Sequence, residues 1–206
     1  MRKEFEMDEL DFLETIAETD LSIETYQYFH QLFHNRTIVF NGDVDDNIIE
    51  KYYLPLLDFE KDDNVKPITI ILNSFGGSVT EGFFFAYYLK NYKKPLDIIV
   101  TGCAASMAAV ILAAGGKNDN VTRYCYPSTY GLVHDGFVAI GAAESKTAQD
   151  IMAFNDSIDQ RIRQFILDNT NITAELYDSK TRHQWFLTAE EMKEYNLIDK
   201  IIGIDE

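Results

Sequence analysis

Three segments of the 206-residue chain bring together residue types suited to acyl transfer. The first is Thr101-Gly-Cys-Ala-Ala-Ser-Met-Ala-Ala109. An apolar strand ends there, a glycine turns the chain, small residues follow, and a helix begins at Ser106. A serine in that place sits where unpaired backbone N–H groups carry a partial positive charge. Its hydroxyl is placed to attack a carbonyl, and the next amide, that of Met107, can stabilise the oxyanion that forms. The rival reading is an N-cap serine whose hydroxyl only accepts from the first helical turn. Taken alone, the rival describes the commoner kind of serine.

The second segment is Asn73-Ser-Phe-Gly-Gly-Ser-Val79. Gly76 and Gly77 follow a buried strand and let the backbone approach a ligand closely. The Gly77 amide is a candidate second oxyanion donor. Ser78 and Val79 are candidates for pairing with an extended peptide by strand addition. The plain alternative is an ordinary strand-to-helix turn. A phosphate loop is disfavoured, because no Gly-Lys-Ser/Thr follows. The third segment is Tyr130-Gly-Leu-Val-His-Asp-Gly136, in which His134 closes an apolar strand before a charged residue and a glycine. A general base belongs at such a strand end, held rigidly and open to the reacting group; the alternative is a surface histidine. His30 and His34 share a helix face with no third metal ligand in view, and His183 lies in a polar loop.

The elements that must position these residues alternate between strand and helix. Strands are expected at Thr37–Phe40, Ile68–Leu72, Leu96–Val100, Val121–Tyr126, Tyr130–Val133 and Ile198–Ile204. Helices are expected at Ile23–His34, Asp43–Phe59, Glu81–Tyr92, Ser106–Ala114, Glu144–Leu167 and Thr188–Tyr195. The long one carries Ile151, Phe154, Ile158, Ile162, Phe165 and Ile166 on one face. The last opens on a capping box, Thr188 with Glu191 three residues on. This alternation implies an α/β fold with a largely parallel sheet.

Composition narrows the function. With 18 basic against 34 acidic residues the net charge is −16, which argues against nucleic acid and anionic lipid as partners. Two cysteines, Cys103 and Cys125, form no C-x-x-C pair, so no metal site is expected, and acyl transfer through serine needs no cofactor. Met1–Asp20 has no apolar signal core, and no apolar run reaches membrane-spanning length. A cytoplasmic protein with reduced thiols is the expectation. Residues 1–25 are read as an acidic arm or short helix, and 26–206 as one domain.

The three segments, in this order, resemble the Clp protease proteolytic subunit, the peptidase chamber that works with an AAA+ unfoldase. Asn-Ser-x-Gly-Gly, Gly-x-Ala-Ala-Ser-Met, the strand-end histidine and the trailing Phe186-Leu-Thr-Ala189 carry the resemblance, from about Asn35 to Gly203. It implies a Clp protease/crotonase-like superhelix of strand-turn-helix units, with a protruding handle helix within roughly 136–168. It also implies one or two stacked heptameric rings of identical subunits, unfolded polypeptide substrates and an AAA+ ATPase partner. Carried over residue by residue, it makes Ser106 the nucleophile, His134 the base, and Gly77 and Met107 the oxyanion donors. Two positions depart from the family pattern: Phe75 stands where the family has proline, and Gln184 stands where it has the third, aspartate member of the triad. An amide oxygen can accept from the His134 ring but brings no negative charge. Three arrangements stay open: Gln184 orienting His134, Asp178 doing so from six residues earlier, or a Ser–His dyad. A catalytically weak or inactive ring subunit is the alternative function. A crotonase-like acyl-CoA enzyme is disfavoured by the presence of both Ser106 and His134.

Overall fold

The sheet is built around one long strand. In this structure, a computed structural model that describes residues 32, 34–61, 64–136 and 144–205, β3 spans Leu96–Ala105. It continues past the expected end at Val100, because small residues follow that pack between layers: Cys103, Ala104 and Ala105 are all buried. Before it come β1 (Thr37–Asn41), α1 (Leu54–Lys61), β2 (Ile68–Ser74) and α2 (Val79–Lys90). After it come α3 (Met107–Ala113), which runs into a 3₁₀ turn, then β4 (Val121–Cys125), β5 (Tyr130–Val133) and α4 (Ser145–Asn169). The chain closes with α5 (Ala174–Lys180), β6 (Trp185–Leu187), α6 (Ala189–Glu194) and β7 (Lys200–Ile201). The fold is α/β, as the alternating pattern implied.

Among the described residues seven strands form one sheet in the order β1-β2-β3-β4-β7, with β5 added to β3 and β6 to β5. The β2/β3, β3/β4, β3/β5 and β4/β7 pairs are parallel, and β5/β6 is antiparallel. The first half of β3, Leu96–Val100, lies between Ile68–Leu72 and Val121–Cys125. Its second half leaves that partner and pairs with β5, Cys103 opposite Tyr130 and Ala105 opposite Leu132. A register shift between Leu72 and Ser74 accompanies the change. β3 therefore carries the chain from the main sheet into a side branch, and its end lies beside the end of β5.

One expected helix starts late. Residues 43–47 are not helical, because the Asp45 carboxylate accepts from the Asn47 N–H at 3.0 Å and Val44 bridges to Gly77 instead. Pro55 then has no N–H for an i→i−4 bond, and the turn before it, Ile49–Tyr53, is widened to π geometry. The capping box of the last helix is present: Thr188 N–H donates to Glu191 at 2.8 Å, and Glu191 N–H donates to the Thr188 hydroxyl at 3.3 Å. α5 and β6 were not anticipated; at 7 and 3 residues they are too short for a periodic signal. Arg123 is fully buried and pins β4 to the C-terminal segment through Asp199 and Asn196.

Contacts divide the chain into two units, Met1–Thr37 and Ile38–Glu206, and the second carries the sheet and its helices. The acidic arm expected over 1–25, its boundary with the following domain, and most of the helix expected over 23–34 lie outside the described residues. So do residues 137–143, which include the start of the expected handle. Among the described residues no helix is long and apolar enough to cross a membrane.

Candidate active site

Ser106 follows the last residue of β3 and precedes the first of α3, with φ 53° and ψ −121°. That backbone conformation is costly for a residue with a Cβ. It is held by hydrogen bonds on both sides: Ser106 N–H donates to the Leu132 carbonyl of β5 at 2.8 Å, and the Ser106 carbonyl accepts from Ala109 N–H at 3.0 Å. The sharp turn throws the side chain off the helix axis. Its hydroxyl makes no capping bond. It lies 2.9 Å from Nε2 of His134 instead, so the N-cap reading of this serine fails.

His134 arrives by the same strand pairing. Ala105 lies opposite Leu132 in the parallel β3/β5 ladder, so the residues just beyond the two strand ends, Ser106 and His134, meet at one corner. The other ring nitrogen, Nδ1, is 2.5 Å from the backbone carbonyl oxygen of Asp135. A carbonyl can only accept, so Nδ1 carries the proton and Nε2 presents its lone pair to the Ser106 hydroxyl. This is the tautomer that a general base requires.

The Gly-Gly loop abuts the same corner. Gly76 has φ 95°, and a Cβ there would lie 2.6 Å from the Ala105 carbonyl oxygen and 2.8 Å from Met107 N. Only glycine lets the two turns approach this closely. The loop is tied from within by buried Ser74, whose hydroxyl accepts from Gly76 N–H at 3.1 Å. It is tied from outside by Asn73, which accepts from Cys103 N–H at 3.1 Å and donates to Asn41 at 2.8 Å. Residue type and spacing alone assign no role to these two side chains, although a short polar pair directly before Gly-Gly is the pattern of a loop that bonds its own backbone.

Gly77 has φ 145° and bridges Val44. The bridge uses the groups on either side of it: Val44 N–H donates to the Gly76 carbonyl at 2.8 Å, and Ser78 N–H donates to the Val44 carbonyl at 2.7 Å. The Gly77 N–H faces away from Val44 and has no backbone partner among the described residues. The Met107 N–H, first in its helix, likewise has none among them. Both residues line a cavity of about 250 Å³ together with Ser106 and His134. Val79, Val110, Val133, Ile162 and Ile166 make the rest of that wall apolar, with Gly136 at its edge.

Ser78 cannot pair with a substrate strand, because its N–H is held by Val44 and its carbonyl accepts from Gly82 N–H at 3.1 Å. Val79 is the first residue of α2 and reaches the cavity through its side chain. Gln184 is exposed between α5 and β6, and among the described residues it makes no hydrogen bond to His134. Asp178 is engaged elsewhere: Arg163 donates to both its oxygens, at 2.6 and 2.8 Å, and holds its carboxyl below the usual range. His183 and His34 are exposed, and Phe75 stands out into solvent. No group of three or more His, Cys, Asp or Glu is placed to hold a metal ion among the described residues.

The corner therefore offers a hydroxyl that makes no helix cap, an imidazole in the base tautomer, two amides without a backbone partner among the described residues, and an apolar recess. A family model described as Clp protease matches residues 20–205.

Proposed function

The chain belongs to the Clp protease family, a family of serine peptidases, and from that premise we propose that it hydrolyses peptide bonds with Ser106 as nucleophile and His134 as general base. The observation that carries this reading is the 2.9 Å approach of the Ser106 hydroxyl to His134 Nε2, made in place of a helix cap. Ser106 Oγ attacks the scissile carbonyl carbon while Nε2 takes the hydroxyl proton. The carbonyl oxygen becomes an oxyanion and receives the N–H groups of Gly77 and Met107. Collapse breaks the C–N bond, and the imidazolium returns the proton to the departing amine. Water, deprotonated by the same ring, then releases the acyl group from Ser106. Oxyanion donors of this kind are each worth about 10²- to 10³-fold in kcat.

The family's architecture frames the substrate. Clp proteases form oligomeric rings that work with AAA+ ATPases. For this chain we assign one or two heptameric rings enclosing a chamber, fed with unfolded or short peptides by such an ATPase. Ile151, Met152 and Phe154 on α4 are exposed apolar side chains and support contact with another copy there. Both cysteines are free and buried, which fits a reducing, cytoplasmic compartment.

A second reading, an assembly subunit without activity, draws on one observation: neither Gln184 nor Asp178 brings a side chain to His134. One experiment separates the two. The assembled protein is treated with a fluorophosphonate probe and with a fluorogenic peptide, beside Ser106→Ala. Labelling and cleavage that both vanish in the variant support the peptidase. An assembled wild type that neither labels nor cleaves overturns it.

A further inference from the structure

The imidazolium that forms during attack needs a negative charge nearby, and the position expected to supply it, Gln184, holds an amide exposed to solvent. Another carboxylate lies close enough to act on the ring. Asp159 is on α4, one turn before the cavity-lining Ile162, and its carboxylate is packed on the backbone of Gly136; a methyl group added at Gly136 would overlap Asp159 Oδ1. The backbone N–H of Gly136 is the nearby group that pulls this carboxyl down. The carbonyl of the same peptide group, that of Asp135, accepts from Nδ1 of His134 at 2.5 Å. Ring, peptide and carboxylate are thus neighbours in one row: Nδ1–H bonded to O=C of Asp135, and Asp159 packed against Gly136 on the far side of the same peptide group.

Resting on the peptidase reading, we propose that Asp159 is a positioning residue for His134, acting through the Asp135–Gly136 peptide group in place of a carboxylate at position 184. No proton crosses the peptide. The carboxylate polarises its N–H, the carbonyl at the other end becomes a stronger acceptor, and the ring is held in the base tautomer. The same negative charge offsets part of the positive charge that the ring acquires.

The surroundings leave Asp159 suited to this task. Its charged and titratable neighbours are Asp135, Asp156, His134 and Tyr177, with Arg163, Asp178 and Arg182 lining the adjoining cavity. The Arg163 guanidinium is bonded to both oxygens of Asp178. Arg182 acts on that same Asp178 carboxylate, so His134 is the neighbour whose charge Asp159 can stabilise without drawing a cation from Asp178. The peptide group between them is itself anchored, since Asp135 N–H donates to the Thr181 carbonyl at 3.1 Å.

The test measures peptide cleavage and fluorophosphonate labelling by the assembled protein for wild type, Ser106→Ala, Asp159→Asn, Asp159→Glu, Gly136→Ala and the Asp159→Asn/Gly136→Ala double variant. Asn keeps the shape and an acceptor oxygen but not the charge. Expected for Asp159→Asn is a fall of about tenfold in kcat and in labelling rate at nearly unchanged KM. Asp159→Glu retains the larger part of the activity. Gly136→Ala pushes the carboxylate off the peptide and gives a similar loss, and the double variant loses no more than either single one. Asp159→Asn with wild-type kcat, or losses that multiply in the double variant, overturns the relay while leaving Ser106 in its role. A wild type that neither labels nor cleaves, or a Ser106→Ala that still cleaves, overturns the peptidase reading and the relay with it.

Discussion

Ser106 Oγ and His134 Nε2 stand 2.9 Å apart although 28 residues separate them in the chain. The parallel β3/β5 register brings them together, and the Ser106 backbone bond to Leu132 sets the direction of the hydroxyl. Two groups that share one proton act as a unit. Ser106→Ala and His134→Ala are each expected to lower kcat for a fluorogenic peptide by more than about 10⁴-fold, and the double variant to lower it no further. Additive losses would mean that the two side chains work in separate steps.

Gly77→Ala tests the oxyanion site. At φ 145° an alanine is strained, and its Cβ would overlap the Val44 carbonyl oxygen. The bridge to Val44 must shift, and the free N–H turns with it. A loss of about 10²-fold in kcat with little change in KM is expected, with thermal unfolding measured alongside to confirm that the chain still folds. A loss seen in KM alone would place Gly77 in ground-state binding.

The recess beside Ser106 is walled by Val79, Val110, Val133, Ile162 and Ile166, and among the described residues no Lys or Arg lines it. Burying a carboxylate there without compensation costs several kcal/mol. Peptides with Leu or Met before the scissile bond are therefore expected to exceed the Asp equivalent in kcat/KM by at least about 100-fold. Ile162→Ala, which enlarges the recess from the α4 side, should shift preference toward Phe. Equal cleavage of Leu and Asp peptides would show that the recess does not hold that side chain.

The candidate site was legible in the sequence because its residues sit at element ends, where residue type is dictated by backbone geometry. Ser106 and His134 terminate strands, and Gly76 and Gly77 occupy positions that a Cβ would fill. The capping box of α6 was legible for the same reason, since Thr188 and Glu191 satisfy backbone donors only three residues apart. What sequence spacing left hidden depends on contacts across the fold. Asp159 lies 25 positions beyond His134 on a helix whose own periodicity marks it as ordinary polar surface, so only the packing of α4 against Gly136 reveals it. Gln184 aligned with a triad position, yet the turn between α5 and β6 leaves its side chain in solvent. The late start of α1 follows from the Val44–Gly77 bridge, a contact between segments more than 30 residues apart that helix periodicity does not register.

A residue kept for catalysis and one kept for packing leave opposite marks on stability, and Asp159 can be sorted by them. Burial, with the nearby carboxylates Asp135 and Asp156, pushes its carboxyl up, while the Gly136 N–H and His134 pull it back only in part. The folded protein therefore binds this proton more tightly than the unfolded chain does. Its ionised form weighs against folding above the raised folded pKa, and that penalty fades as the pH falls through it, vanishing below the ordinary aspartate value of about 4. Asp159→Asn, which carries no charge at any pH, is expected to have a urea midpoint at pH 7 equal to or above that of the wild type. The difference should close as the pH is lowered toward 4. Paired with the loss of kcat, this would mark Asp159 as a group held in ionised form for its effect on the ring of His134. A variant less stable than wild type at pH 7, and equally so at pH 4, would show instead that Asp159 serves to fasten α4 to the segment after β5.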